Sequence, residues 1–282
     1  MTQQQVVLIT GVSSGFGRRM AETFARAGDV VLGGLRDGSG RNAKIRAELE
    51  ALGVEVLELD VTNDAQVEAA VAHAIERHGH IDVLINNAGS SVAGLSECST
   101  LEQARSVFEL NYFGPVRMCR AALPHMRRRK SGFIVHMSSI GGCVALPNSA
   151  HYGASKAALE TLGEVQRHEL ASFGIDVTLI EPGLFATSIF DTIAFADDTA
   201  RTAEYGPLGE KPAQGVGIAR QMIAGGTPDP QEVADVVLRL TRMPAGQRPL
   251  HMPIGQDAAM LEPIHTITAP LGEAMFKAFG FI

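Results

Sequence analysis

Short, uninterrupted apolar runs alternate with amphipathic helical patterns along most of this chain, and this alternation limits its possible folds more than any other feature. Strands without a polar face are typical of a parallel sheet that helices cover on both sides. The pattern therefore predicts an α/β fold, a doubly wound parallel sheet of about seven strands with helices on both faces. The predicted strands are 6–10, 30–35, 54–59, 81–85, 133–137, 175–180 and 249–253. The predicted helices are 20–27, 45–52, 67–75, 101–126, 152–173 and 231–240.

The length of 282 residues suits a single catalytic domain, 1–282. Two segments depart from the alternation. The stretch 183–228 is rich in Gly, Ala, Thr and Asp, and we expect it to form a substrate loop, because so long a connection in a compact domain often acts as a lid. The tail, about 256–282, ends in apolar residues that must pack on their own domain or on a neighbouring subunit. These residues are Met275, Phe276, Phe279, Phe281 and Ile282.

Composition argues against several classes of protein. The chain contains no apolar run of the roughly 18 residues that cross a bilayer, so we expect no membrane partner. Its first residues lack the pattern of a secretory signal, which favours a cytoplasmic location. A net charge of −7 disfavours nucleic acid as a partner. Three cysteines without a Cys-x-x-Cys pair predict neither a disulfide framework nor a zinc ribbon.

Three glycines, Gly11, Gly15 and Gly17, follow the first predicted strand and open the first helix. Glycine lets the backbone approach a pyrophosphate closely, and the helix N-terminus adds N–H donors and the positive end of its dipole. This strand–turn–helix context predicts a dinucleotide-binding, Rossmann-like fold. The spacing is Gly-x-x-x-Gly-x-Gly rather than the commoner Gly-x-Gly-x-x-Gly.

Further motifs follow in a fixed order: Thr10–Gly17, Asp60-Val61, Asn86-Asn87-Ala88-Gly89, Asn111, the set Ser139, Tyr152 and Lys156, and Pro182-Gly183 with Thr187. Over about residues 5 to 255 this order resembles the short-chain dehydrogenase/reductase superfamily. The resemblance implies a nicotinamide dinucleotide cofactor and a homodimer or homotetramer built on the helices 101–126 and 152–173. The implied cofactor contacts are Gly11, Ser13, Ser14, Gly15, Phe16, Gly17, Arg36, Asp60, Val61, Asn87, Ala88, Gly89, Tyr152, Lys156, Pro182, Gly183 and Thr187.

The end of the second strand bears on the choice between NADP and NAD. A carboxylate there would bind the adenosine ribose of NAD and repel a 2′-phosphate. Here Leu35 ends the strand, and the guanidinium of Arg36 can bind a phosphate with two parallel hydrogen bonds. The sequence therefore favours NADP. Asp37 leaves NAD open, because its carboxylate could still reach the ribose.

A proton must accompany each hydride transferred to a carbonyl carbon, and Tyr152 is the candidate acid and base. Its unperturbed pKa of about 10 is high for this task, so we expect the ammonium of Lys156, one helical turn along, to lower it. Ser139 would donate a hydrogen bond to the substrate oxygen, and strand alternation would turn the neighbouring Ser138 away. The resemblance implies that Asn111 holds a water linking Lys156 to solvent.

Other candidates have weaker support from sequence. His136 lies in a predicted strand as a core or interface group, and a metal role has no partner at ligand spacing. The substrate site should lie outside the carboxyl ends of the strands. Its expected lining is Ser91, Cys143, Val144, Leu146, His151, Gly183 and Leu184, with Phe185, Ile189, Phe190, Ile193 and Phe195 from the loop.

This lining is largely apolar, so we expect a lipophilic or aromatic alcohol, ketone or aldehyde as the small-molecule substrate. Gly141-Gly142 and Arg36-Asp37 resemble the 17β-hydroxysteroid/retinol-dehydrogenase-like branch. The loop residues could equally seal the core. Two other functions stay open: an NAD-dependent alcohol dehydrogenase of the same fold, and a non-catalytic regulator that senses NADP(H).

Overall fold

The computed structural model describes residues 4–226, 228–255 and 258–281, and the bounds of its strands agree closely with the apolar runs. Prediction and structure differ mostly by one or two residues at each end, where a run continues past the last ladder hydrogen bond or stops short of it. The strands are β1 (Val6–Thr10), β2 (Val30–Leu35), β3 (Glu55–Glu58), β4 (Val83–Asn86), β5 (Val92–Ala93), β6 (Gly132–Met137), β7 (Ile175–Pro182), β8 (Ala194–Phe195) and β9 (His251–Ile254).

Seven of the strands form one sheet in the order β3-β2-β1-β4-β6-β7-β9, and every pair in it is parallel. The strand order reverses direction between β1 and β4, which creates a crevice at the carboxyl ends of these two strands. The predicted α/β fold, a doubly wound parallel sheet of about seven strands, is confirmed. The two short strands β5 and β8 pair separately, beside this crevice.

Helices follow the strands and cover both faces of the sheet. They are α1 (Gly15–Arg26), α2 (Ala43–Ala51), α3 (Asp64–His78), α4 (Leu101–Phe108), α5 (Gly114–Arg129), α6 (Ile140–Cys143), α7 (Ala150–Ala171), α8 (Ile189–Thr192), α9 (Thr199–Glu204), α10 (Lys211–Ala224), α11 (Gln231–Arg242) and α12 (Glu262–Ala278). Within the described ranges, none of these helices is both long and apolar enough to cross a membrane.

Alternation along the strands divides the core into two clusters, one on each face of the sheet. In β1, the fully buried Val7 and Ile9 pack with α1 and α11 on one face, while Leu8 packs with α3 and α5 on the other. Because both faces are dry, the strands carry no polar side, which is why they appear as continuous apolar runs in the sequence.

The segment 183–228 is mostly helical, so the prediction of an irregular loop is wrong. It contains α8, α9 and α10, and β8 pairs with β5. Asp198 caps α9 through the N–H of Arg201, and Pro212 lies in the first turn of α10. These helices bury few side chains and so lack the apolar periodicity that marks a helix in sequence. We call residues 183–226 the helical segment.

The tail forms α12, none of whose residues is buried, and His265 of this helix contacts Glu181. Of the predicted apolar cluster, Phe276 stacks on His168 with ring centroids 4.1 Å apart. Met275, Phe279 and Phe281 are exposed, although the sequence predicts that they pack on the domain or on a neighbour. Ile282 lies outside the described residues.

Candidate active site

The glycine turn between β1 and α1 has no room for a side chain at Gly11 or at Gly17. Gly11 adopts φ +72°, a region that favours glycine. A Cβ on Gly17 would lie 2.3 Å from both Asn87 Nδ2 and Gly11 O. The turn therefore presents bare backbone and the N-terminus of α1 to the crevice. A pyrophosphate fits this arrangement, since it needs N–H donors at close approach.

Thr10 and Asn87 tie the glycine turn to the end of β4. The Asn87 side chain donates to Thr10 O at 2.8 Å and to Gly11 O at 3.1 Å. In return, Thr10 Oγ1 accepts from the backbone N–H groups of Asn87 and Ala88. The Asn-Asn-Ala-Gly motif thus acts in the structure as a clamp that fixes the two strand ends on either side of the crevice.

At the carboxyl ends of β2 and β3, Arg36 lies beside Asp60, with Nη1 3.6 Å from Oδ2. Burial alone would raise the pKa of Asp60, but two hydrogen bonds from Thr62 and the charge of Arg36 outweigh it and lower that pKa. The Arg36 side chain remains about half exposed, so its guanidinium is available to a ligand.

The carboxylate of Asp37 is turned into its own loop. Its Oδ2 accepts from the N–H of Arg41 at 3.2 Å, and the residue adopts φ +54°. Glu58 also stabilises this loop, because its carboxylate accepts from the N–H groups of Asp37 and Gly38. Asp37 is the residue whose carboxylate, judged from the sequence, could bind the ribose of NAD. In the structure this carboxylate is engaged in closing a turn.

The helical segment contacts the glycine turn. Ser188 Oγ donates to Ser14 Oγ at 2.9 Å, and Thr187 lies over Gly15. At the first residue of this segment, Gly183 N–H donates to Ile254 O, which fixes the chain as it leaves β7. Thr187 thus lies where the predicted cofactor contacts converge.

Phe185 belongs to the core rather than to the substrate site. It is 2% exposed and packs edge-on against Phe16, with ring centroids 5.5 Å apart. A Cβ on Gly255 would lie 3.1 Å from its ring. The prediction that Phe185 lines the substrate pocket is therefore corrected. Sequence could not separate a buried from an exposed aromatic in this segment, because the segment has no clear period.

Three elements bring the predicted catalytic residues together. Ser139 follows β6, Tyr152 and Lys156 lie one turn apart on α7, and Asn111 lies in a π-helical turn, Glu109–Phe113, between α4 and α5. The sequence predicts one continuous helix here, and the π turn adds a residue that this pattern does not reveal. Such turns often occur at functional sites.

Asn111 is completely buried, and its amide is fully engaged. It accepts from Ser90 N–H and donates to Ser90 O and Ser155 Oγ, all at 2.9–3.0 Å. Ser155 Oγ in turn donates to Tyr152 O. Asn111 therefore joins the loop after β4 to the catalytic turn of α7. Sequence analysis missed Ser90 and Ser155 as parts of this link, and no signal in their spacing marks them.

Burial governs the ionisation of Tyr152 and Lys156. It raises the pKa of Tyr152, and a hydrogen bond with Ser139 offsets only part of this effect. The sequence predicts that Lys156 lowers the pKa of Tyr152, and this direction is wrong. The Lys156 ammonium lies 5.8 Å from the ring centroid of Tyr152 and donates its hydrogen bond to Met137 O at 2.6 Å. Burial also lowers the pKa of Lys156 to about 8, against the opposing charge of Glu160.

The two adjacent serines point in different directions. Ser139 Oγ accepts from Gly141 N–H at 3.1 Å and faces the Tyr152 phenol. Ser138 Oγ lies close to Gly142 and Glu160, on the other side of the strand end. This agrees with the alternation that favours Ser139 over Ser138 as the residue next to the substrate.

Comparison with known families matches residues 5–197 to the family described as short chain dehydrogenase. The chain belongs to the short-chain dehydrogenase family. It is 39% identical over 203 residues to a 3-ketodihydrosphingosine reductase from Bacteroides thetaiotaomicron, covering 72% of each chain. A short-chain dehydrogenase structure from Streptomyces avermitilis matches with a TM-score of 0.78 and 34% identity over 98% of each chain. A Burkholderia phymatum relative in complex with NAD matches at 0.75 and 26%, covering 96% of this chain and 93% of its own.

In this short-chain dehydrogenase, a groove of about 470 Å³ lies next to the catalytic residues. Gly141 is part of its wall, and a Cβ on Gly141 would lie 3.4 Å from the Tyr152 ring and 3.5 Å from Ser139 Oγ. Among the described residues in its wall, Cys143 alone can ionise. Burial and nearby carboxylates raise the pKa of this thiol, so the wall is uncharged. Its lining includes Leu95, Ser96, Cys143, Val144, Leu146 and Asn148.

Three of the predicted pocket residues, Cys143, Val144 and Leu146, line this groove. His151 donates at its rim, with Nε2–H directed at Ser96 O 3.2 Å away. The structure does not place the other predicted residues in the wall of this groove: Ser91 lies directly before β5, Leu184 after β7, and Phe190 in α8, where its carbonyl accepts from Arg220.

His136 belongs to the core, as the sequence predicts. It is completely buried, its Nε2–H donates to Gln166 Oε1 and its Nδ1 accepts from the Asn86 amide. Burial lowers its pKa to about 4, so the ring stays neutral in the ordinary pH range.

Proposed function

We propose that this short-chain dehydrogenase uses NADP(H) to interconvert an alcohol and a ketone or aldehyde on a lipophilic or aromatic small molecule. One observation supports the proposal above the others: Ser139, Tyr152 and Lys156 converge at the carboxyl edge of the sheet, next to a glycine turn shaped for a pyrophosphate. A reduced nicotinamide, when bound, supplies the hydride.

Tyr152 supplies the proton for the substrate oxygen in the reducing direction. Because burial raises its pKa, the phenol remains protonated at neutral pH and can serve as an acid. The Ser139 hydroxyl, which already faces the phenol, can donate to the same oxygen and hold it in place. Lys156, with its ammonium near Gly89, can stabilise the phenolate that remains after proton transfer. In the oxidising direction, the phenolate takes the proton back.

The choice of NADP rests on the loop after β2. Arg36 leaves its guanidinium half exposed, while Asp37 is engaged with Arg41 N–H and Glu58 with two backbone groups. A phosphate therefore meets a half-exposed guanidinium, while Oδ2 of Asp37 is occupied by the N–H of Arg41. NAD is the rival cofactor, since the related Burkholderia phymatum structure holds NAD.

A substrate with a long apolar portion is supported by the uncharged wall of the groove. The relative from Bacteroides thetaiotaomicron is named for a reductase of a long-chain keto lipid. The test is a panel of ketones and aldehydes, 3-ketodihydrosphingosine included, assayed with NADPH and with NADH. We expect turnover of lipophilic carbonyls with NADPH. Binding of NADPH without turnover of any carbonyl would favour a sensing role instead.

Replacing Arg36 with leucine is expected to raise KM for NADPH by roughly 10- to 100-fold, with little change for NADH, because the lost hydrogen bonds are charge-assisted contacts to the 2′-phosphate. Steady-state kinetics with both cofactors measure this effect. The matched control is Arg46→Leu, since Arg46 lies nearby on α2 and pairs with Glu50 instead. An equal loss with NADH would show that Arg36 does not discriminate between the cofactors.

The pH dependence of reduction should follow Lys156. Its pKa of about 8 means that the ammonium loses its proton as pH rises through that value, whereas Tyr152 keeps its own proton there. We therefore expect log kcat/KM for reduction to fall above about pH 8, since this parameter reports groups of the free enzyme. A rate that stays flat to pH 10 would contradict an essential Lys156 ammonium.

A further inference from the structure

Four ionisable side chains meet behind the catalytic residues, on the side away from the glycine turn. Glu160 comes from α7, Glu181 from β7, His251 from β9 and His265 from α12. We call them the Glu–His cluster. Glu181 is completely buried, and the side chains of His251 and His265 are 9% and 14% exposed. Nothing in the proposed reaction requires this cluster.

Glu181 lies at its centre. Its two carboxylate oxygens accept from different imidazoles, His251 Nδ1–H at 2.8 Å and His265 Nε2–H at 2.8 Å. The two rings stack with centroids 3.8 Å apart and planes 11° from parallel. Both histidines therefore direct a nitrogen at one buried carboxylate.

Glu160 is the member that these contacts do not explain. It is 6% exposed, and among the described residues neither of its carboxylate oxygens meets a partner in full hydrogen-bond geometry, although the Ser138 hydroxyl and His251 lie beside it. One oxygen lies 3.6 Å from His251 Nδ1 and so points into the cluster. Buried polar groups are almost always hydrogen-bonded, so a carboxylate in this state needs a missing partner.

We propose that the Glu–His cluster binds one divalent transition-metal ion, with zinc the best match, through Glu160, Glu181 and His251, while His265 holds the second oxygen of Glu181 by a hydrogen bond. Ligand atoms of Glu160, Glu181 and His251 all lie within 4.8 Å of one another, and so do those of Glu181, His265 and the adjacent Cys143. Glu181 belongs to both sets, which places the ion beside it.

The separations suit such an ion. Zinc bonds of about 2.0–2.1 Å at tetrahedral angles place neighbouring ligand atoms about 3.3 Å apart. The nitrogen–oxygen distances here, 2.8 Å and 3.6 Å, lie on either side of that value. Imidazole and carboxylate together favour zinc over magnesium or calcium, which prefer oxygen alone.

The charge of the two buried carboxylates is a second argument for a bound metal ion. Two carboxylates buried side by side need two positive charges, which two protons or one divalent ion can supply. An ion would also give the Glu160 oxygens a partner. The ion would then join three elements, α7, β7 and β9: Glu160 lies one turn after Lys156 and Glu181 directly precedes Pro182-Gly183, while His265 would fasten α12 to this face.

The test uses the full chain without a metal-binding tag, stripped with chelator and then titrated with Co²⁺ and with Zn²⁺. We expect one ion per chain, with the visible absorption of four-coordinate Co²⁺ that Zn²⁺ displaces. His265→Asn and His251→Asn should each weaken binding by about tenfold or more. His168→Asn is the matched control, since His168 also contacts α12, through Phe276, but lies outside the cluster.

Failure to retain a stoichiometric ion would overturn the proposal, and so would undiminished binding in both cluster variants. If His251→Asn does not fold, His265→Asn alone tests the proposal, because His265 lies on the peripheral helix α12 and not in the central sheet. None of these measurements depends on turnover, so the result is independent of whether the proposed reductase activity is found.

Discussion

Tyr152→Phe is expected to lower kcat for carbonyl reduction by roughly 10²- to 10⁴-fold, the usual contribution of a positioned acid. The change removes one oxygen atom from a residue whose ring is already packed against Gly141. Cofactor binding should survive, because the glycine turn, Asn87 and Arg36 are untouched. Single-turnover kinetics and a titration of NADPH would separate the two effects.

The control is Tyr205→Phe, another of the three tyrosines. Its hydroxyl donates to Glu97 at the protein surface, away from Ser139 and Lys156. We expect that variant to keep nearly full activity. If Tyr152→Phe turned over at the rate of this control, another group would be the acid and the proposed mechanism would be wrong.

Gly17→Ala should weaken dinucleotide binding at least tenfold and lower the free energy of unfolding by about 1–3 kcal/mol, as overpacking commonly does. The added methyl group would lie 2.3 Å from Gly11 O and from Asn87 Nδ2. Relieving these contacts must displace the turn or break the Asn87 hydrogen bonds to Thr10 and Gly11. Denaturant unfolding and NADPH titration measure the two losses.

Gly217→Ala makes the same chemical change where space is open, since no atom lies within 4 Å of a Cβ there. In the helix α10, alanine should be neutral or stabilising by up to about 1 kcal/mol. A Gly17→Ala protein that behaved like this control would mean that the turn can widen freely, contrary to the packing of its backbone against Asn87.

Much of the fold is predictable because it is encoded in neighbouring residues. The apolar runs locate β1 and β2 to the residue, since a strand buried on both faces allows no polar side. The spacing of Tyr152 and Lys156 places them on one face of a helix by geometry alone. The different orientations of the Ser138 and Ser139 side chains follow in the same way from the alternation of side chains along a strand.

Other features depend on contacts between residues distant in the chain. No sequence pattern distinguishes Phe185 from Phe190, which lie five residues apart in the same segment. Phe185 nevertheless packs on Phe16 in the core, whereas Phe190 lies in α8. The pKa of Tyr152 rises rather than falls because the surrounding fold removes water from the phenol, which no spacing of charges reveals.

By itself, then, the sequence determined the sheet, the glycine turn and the order of the catalytic residues, because periodicity and turn chemistry act over a few positions. Only the tertiary structure decided which side chains lose water and which distant groups meet. The Glu–His cluster is the clearest case: Glu160, Glu181, His251 and His265 have no common spacing, and four separate elements bring them together. Burial and long-range proximity belong to the folded chain as a whole, so local patterns do not record them.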